Sequence, residues 1–173
     1  MSKDIVSLFS GAGGLDLGFK QAGFSTVWAN EFDKGVWDTF RLNFPDTVLD
    51  TRSIVDIPSN EIPDCVGLVG GPPCQSWSAA GAKRGIKDAR GQLFYEYIRV
   101  LREKQPLFFV AENVKGMLSK KNKSVFDGFI REFEKCGYTV SWKLMNAHDY
   151  GVSQDRWRVL IVGVRADAGV EFV

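Results

Sequence analysis

A chain of 173 residues that is 45% hydrophobic is long enough to bury the core of one compact domain without metals or disulfides. Its three cysteines, Cys65, Cys74 and Cys136, are odd in number and widely spaced, which argues against a disulfide framework and against a zinc site built from C-x-x-C pairs. No segment approaches membrane-spanning length, and a formal charge of +1 excludes a globally basic nucleic-acid binder, so any such surface must be local; a reducing, cytoplasmic setting fits best.

Asp4 to Phe9 reads as a short buried strand, ended by Ser10-Gly11-Ala12-Gly13-Gly14, after which Leu15, Leu17, Gly18 and Ala22 fit a helix. Phe24 to Asn30 reads as a second strand and Asp33 to Asn43 as a second helix. Cys65 to Val69 is a further apolar strand, followed by a long loop from Gly70 to about Arg90, a length more often functional than accidental inside a domain. Leu93 to Arg102 predicts a helix, Leu107 to Ala111 a strand, Ser124 to Lys135 a helix, and Val140 to Leu144 and Val159 to Val164 the last two strands. This alternation predicts an α/β fold: a doubly wound, mostly parallel sheet covered on both faces, with ligands bound beyond the carboxyl ends of its strands.

Several stretches carry chemistry at those ends. The glycine turn removes Cβ atoms where a ligand must approach and aims helix N–H groups at it. Asp16 stands where the dinucleotide fingerprint needs glycine and the Walker lysine is missing, which weakens NAD and ATP. Glu31 ends the second strand, where a carboxylate can accept from both ribose hydroxyls. These features fit a nucleoside cofactor or a purely structural turn. In Gly70-Gly71-Pro72-Pro73-Cys74-Gln75-Ser76-Trp77-Ser78 a cysteine follows two residues of fixed φ, unlike Cys65 and Cys136, which sit in apolar runs as small hydrophobes do. Lys83, Arg84, Lys87 and Arg90, against Asp88 alone, form a basic loop suited to a phosphate backbone, or a solvated charged loop. Glu112 sits at another strand end, and Arg156 and Arg158, two apart, share one face at the start of the last strand.

In this order, Phe9 to Gly14, Gly71 to Gln75, Glu112-Asn113-Val114 and Gln154 to Arg158 closely resemble the cofactor, nucleophile, acid and base-contacting motifs of the cytosine-C5 DNA methyltransferase family. The resemblance spans essentially the whole chain, and around Gly70 to Ser78, Arg90 to Ile98 and Asn146 to Gln154 it is most similar to bacterial HaeIII-type enzymes, which act on GGCC in restriction-modification systems. It implies a Rossmann-like domain over residues 1–173 that transfers methyl from S-adenosylmethionine to C5 of a cytosine flipped out of duplex DNA. Cys74 would add to C6, a protonated Glu112 would donate to N3, Arg158 would contact O2, and Arg156 would hold the site together. The cofactor would touch Phe9, Gly11, Ala12, Gly14, Glu31, Phe32, Ile54, Pro73 and Leu93. DNA would meet Gln75, Ser76, Ser78, Lys83, Arg84, Lys87, Arg90 and Asn113. No metal or membrane is implied.

Two departures stand out: Ser53 is aligned where relatives carry an aspartate for the adenine amino group, with Asp50 and Asp56 nearby, and Val66 replaces an acid before the nucleophile motif. Members also normally continue through a target-recognition region and a final segment that completes the cofactor domain, so the expectation is a fragment, a remnant, or a subunit working with a second polypeptide. Transfer-RNA cytosine methylation and a non-catalytic binding module are the competing readings. A cysteine hydrolase pairing Cys74 with His148 is a further one, although a lone histidine is more often a surface group.

Overall fold

The structure, a computed structural model, describes residues 3–73 and 89–169. Cys74, Gln75, Ser76, Ser78, Lys83, Arg84 and Lys87 lie outside the described residues, as does the side chain of Arg90.

Seven strands form one sheet in the order β3-β2-β1-β4-β5-β7-β6. They are β1 (Asp4–Leu8), β2 (Ser25–Asn30), β3 (Val48–Asp50), β4 (Gly67–Gly70), β5 (Phe108–Val114), β6 (Tyr138–Asn146) and β7 (Trp157–Arg165), with helices α1 (Gly14–Gln21), α2 (Trp37–Asn43), α3 (Ala89–Lys104) and α4 (Lys123–Lys135). All pairings from β3 to β5 are parallel, and only β7 runs against its two neighbours. The expected doubly wound, mostly parallel sheet is therefore present. Its central strands are buried on both faces: Ile5 to Leu8 and all of β4 are sealed from solvent, as parallel strands flanked by helices must be.

Two adjacent phenylalanines on β5 show how the layers are divided. Successive strand residues point to opposite faces. Phe108 meets Phe19 of α1 and Phe24, whereas Phe109 stacks on Phe133 of α4 at 4.3 Å and meets Tyr97 of α3 and Tyr138 of β6. Helix α1 thus covers one face, and α3 and α4 cover the other. Tyr97 is fully buried, yet its hydroxyl donates to the carbonyls of Leu68 and Val110, so the aromatic fills the core without leaving a polar atom unpaired.

The differences from the sequence reading fall at the margins. The helix expected from Asp33 begins as a one-turn 3₁₀ segment, Lys34–Val36, capped by the Asp33 side chain accepting from the Gly35 N–H, before α2 takes over. Strand β3, only three residues long and half exposed, was not expected, and β6 and β7 extend well beyond their apolar centres.

Candidate active site

The glycine turn connects β1 to α1 and is fixed from several sides. Gly13 is the N-cap of α1 at φ 87°, and its Cα lies so close to the ring of Phe44 that any side chain would collide with it. The Gly13 N–H donates to Ser10 O at 3.0 Å, and Ser10 N–H donates to Asn30 O at 3.2 Å, which ties the turn to the end of β2. Phe9 itself adopts φ 55°, an uncommon conformation for a residue with a bulky side chain.

Glu31 follows β2 directly. One of its carboxylate oxygens accepts the Gly11 N–H at 2.7 Å and the other accepts the Asp33 N–H at 2.7 Å, so the carboxylate braces the turn from outside. Each oxygen retains lone-pair capacity for a further donor. Asn30, almost fully buried, donates to the carbonyls of Asp50 and Arg52, and the segment after β3 is thereby held against β2. Arg99 of α3 grips the same segment farther on. It donates to the carbonyls of Ile54 and Ile57 and to Ser59 Oγ, while Glu96 accepts from its Nε at 2.7 Å.

Beneath the turn lies Asp16, fully buried in the first turn of α1. Ser7 of β1 and Thr26 of β2 donate their hydroxyls to its two oxygens at 3.1 and 3.0 Å, linking three elements. Burial raises its carboxyl above the usual range, and these hydrogen bonds oppose that shift. Sequence reasoning saw Asp16 only as a missing glycine; its place at the third helical position, facing β1, was the signal available.

On the other side of the sheet, β5 and β7 pair in register Glu112↔Leu160 and Val114↔Arg158. Glu112 lies inside β5 rather than just past its end. Arg158 Nε stands 2.6 Å from Glu112 Oε1, and Arg156 Nη2 reaches the same oxygen at 3.9 Å. The two arginines, two apart in sequence, do converge on one carboxylate. Both partners of the short pair are part-exposed, with side-chain exposures of 26% for Arg158 and 29% for Glu112, so the pair is open to a ligand.

These two halves meet. A cavity of about 440 Å³ is walled by Phe9 to Ala12 and Gly14 of the turn, by Gly70 and Gly71 at the end of β4, and by Glu112 and Arg156. It sits beyond the carboxyl ends of β1 and β4, where a doubly wound sheet binds ligands, and is of a size typical for cofactor sites. Gly71 is the residue from which Pro72, Pro73 and Cys74 lead away.

Other expected residues fall less simply. Ile54 is 2% exposed and belongs to the core; Asp50, at the end of β3 in register with Asn30, is the carboxylate beside this edge, held below the usual range by the hydrogen-bonding Arg52 side chain. Ser53 is the N-cap of the one-turn segment Ile54–Asp56. Phe32 is 71% exposed, while Leu93 packs against the core and Pro73 is half-buried. Asn113, expected to meet DNA, is 8% exposed: its amide donates to Pro72 O at 3.0 Å and its side-chain oxygen accepts the Val114 N–H. Strand alternation sends it to the face opposite Glu112, where it anchors the backbone leading to Cys74. His148 is exposed. Burial pushes the Cys65 thiol up to about 11 and raises that of Cys136, so neither suits a nucleophile. Among the described residues no cluster of His, Cys, Asp or Glu could hold a metal ion, and no helix is long and apolar enough to cross a membrane.

Comparison with known proteins agrees with this geometry. Type II methyltransferase M.FnuDI of Fusobacterium nucleatum is 57% identical over 166 residues, covering 96% of this chain and 48% of that protein. Type II methyltransferase M.AquIA of Picosynechococcus sp. is 42% identical over 188 residues, covering 99% of this chain and 76% of the relative. The crystal structure of a Spodoptera frugiperda DNMT2 mutant superposes with a TM-score of 0.80 at 26% identity, over 98% of this chain and 52% of that one. The chain thus spans about half the length of M.FnuDI and of the DNMT2 structure. The model of the C-5 cytosine-specific DNA methylase family matches residues 3–172, and the chain belongs to that family.

Proposed function

We propose that this chain is the catalytic part of a DNA (cytosine-5)-methyltransferase of a restriction-modification system, with S-adenosylmethionine as methyl donor. The single observation that carries the reading is the shared cavity. One wall is a glycine turn braced by Glu31, and the opposite wall is a carboxylate already engaged by arginines. A cofactor and a base placed there would be in contact.

When bound, S-adenosylmethionine supplies an electrophilic methyl group. Phe9, Gly11, Ala12 and Gly14 would hold it through backbone and ring contacts, Glu31 would accept from its ribose, and Asp50 would meet the adenine edge; Phe32, Pro73 and Leu93 complete the proposed contacts. The elimination of Cys65 and Cys136 as nucleophiles supports Cys74. Its thiolate adds to C6 of the flipped cytosine, and the ring carbon C5 gains the electron density to take the methyl group. Loss of the C5 proton and departure of the Cys74 thiolate restore the ring. Glu112 is ion-paired with Arg158 in this structure, so to donate to N3 it must take up a proton; Arg158 is then released to O2, and Arg156 steadies both.

Gln75, Ser76, Ser78, Lys83, Arg84, Lys87 and Arg90 are the proposed DNA contacts of the segment after Cys74, and GGCC is the proposed target. A second polypeptide that reads the sequence is part of this proposal.

The test is transfer of tritiated methyl to GGCC duplex DNA and to a scrambled duplex, by this chain alone and with the polypeptide encoded beside it. A covalent complex with 5-fluorocytosine DNA that disappears in Cys74→Ser is the expected result. Transfer to transfer RNA instead of DNA, or equal trapping by Cys74→Ser, would overturn the reading.

A further inference from the structure

Four of the chain's 22 basic residues fall within positions 115–123, which contain no acid, although the whole chain carries a charge of only +1. They are Lys115, Lys120 and Lys121, on the turn between β5 and α4, and Lys123, the first residue of α4. This segment is ordered by its own contacts. Lys115–Leu118 forms a 3₁₀ turn whose Met117 is buried, Ser119 N–H and Asn122 Nδ2 both donate to Gly116 O, and the Asn122 N–H donates to Ser119 O. Lys120 and Lys121 therefore stand exposed on a held backbone, and neither has an ion pair among the described residues. Lys123 shares its charge with Asp127 of α4 at 3.2 Å.

The position of the turn gives it a role. It continues directly from the strand that carries Glu112, and Lys115 Nζ lies 4.5 Å from the ring centroid of Trp157, the residue between Arg156 and Arg158. A cation fixed against an aromatic face loses less side-chain entropy on meeting a second anion than a free one. Lys115 thus lies three residues along the chain from cavity-lining Glu112 and against the neighbour of cavity-lining Arg156, and the turn begins there. A target base that enters that cavity brings its flanking phosphates to the surface around it, where the strand end leading into this turn offers cations to meet them.

Building on the proposed DNA methyltransferase activity, we infer that Lys115, Lys120 and Lys121 form a phosphate-backbone contact for duplex DNA beside the catalytic cavity, additional in sequence to the basic stretch at residues 83–90. The contact positions the duplex and carries no sequence information, because ammonium groups on a surface turn meet phosphates rather than base edges. Its signature is a salt dependence.

The experiment measures binding of the full chain to a short duplex by fluorescence anisotropy over a range of salt concentrations. Lys120→Ala/Lys121→Ala is expected to weaken binding about tenfold at moderate salt and to flatten the slope of log K against log salt by about 1.8, the value for two lost phosphate contacts. Lys120→Arg/Lys121→Arg is expected to restore both. Arg131→Ala/Lys135→Ala, which removes equal charge from the far part of α4, is expected to leave the slope unchanged. An unchanged slope in the first variant would overturn the inference, as would an equal effect in the control pair, tighter wild-type binding to an RNA hairpin than to duplex DNA, or no duplex binding by the wild-type chain at low salt. Failure of covalent trapping with a shifted slope would remove the catalytic reading and leave the contact standing; trapping with an unshifted slope would do the reverse.

Discussion

The two halves of the sheet build their parts of the cavity by different means. In the parallel half, β3-β2-β1-β4, the site is made of backbone: the Gly11 and Gly13 turn, the strand ends at Leu8 and Gly70, and carbonyls held by Asn30 and Arg99. In the half that contains the antiparallel β7, the site is made of side chains placed by strand alternation, Glu112 on β5 and Arg158 on β7, with Arg156 just before it. A site made of backbone tolerates exchange of many side chains but not the addition of a Cβ. A site made of side chains has the opposite sensitivity.

That contrast is sharpest where a substitution changes one functional atom and nothing else. Glu112→Gln keeps the size and register of the β5 residue but removes both the negative charge that pairs with Arg158 and the ability to donate a carboxyl proton. Methyl transfer is expected to fall at least 10²-fold, on the order of losing general-acid assistance, with cofactor affinity changed less than about threefold. Equilibrium cofactor titration beside single-turnover kinetics would check it. Comparable losses in both would show that the two halves do not act separately.

In the parallel half the strongest expected effect is on folding. Gly70 ends β4 with its Cα against the carbonyl oxygen of Leu8, and an added Cβ would overlap that oxygen, which belongs to backbone paired in the sheet and cannot move aside. Gly70→Ala is expected to destabilise the chain by about 1–3 kcal/mol, the usual range for overpacking, read as a lower denaturant midpoint with an unchanged m value. A neutral result would mean that the strand end yields, and with it the premise of a rigid backbone-built wall.

Much of this division was legible beforehand. Apolar runs of strand length separated by helical periods gave the parallel half, and the period-two spacing of Arg156 and Arg158 predicted their common face, which the pair with Glu112 confirms geometrically. What escaped was whatever depends on long-range partners. Val48–Asp50 pairs only with β2 and is too short and too exposed for a pattern to mark it. Asn113 sits in a motif that suggested DNA, but which face it takes depends on where β5 ends, and that strand extends three residues past the apolar run ending at Ala111. The Arg99 clamp joins α3 to carbonyls more than forty residues earlier, and no local spacing announces it.

The smallest expected effect concerns the buried carboxylate under the glycine turn, a side chain that supports the backbone wall from beneath as Glu31 does from outside. Asp16 has hydroxyl partners, Ser7 and Thr26, and burial raises its pKa above the ordinary carboxyl value. A group whose folded pKa is raised binds its proton more tightly in the folded chain. Its contribution to stability is therefore full below the unfolded value near 3.8 and is lost as pH rises through the higher folded value. Asp16→Asn keeps an oxygen and a nitrogen in the same place but has no proton to lose. The melting midpoint of the variant minus that of the wild type should thus rise between acid and neutral pH and then level off. A difference that stays flat across that range would mean that Asp16 does not titrate differently on folding, and that its hydroxyl partners offset burial fully.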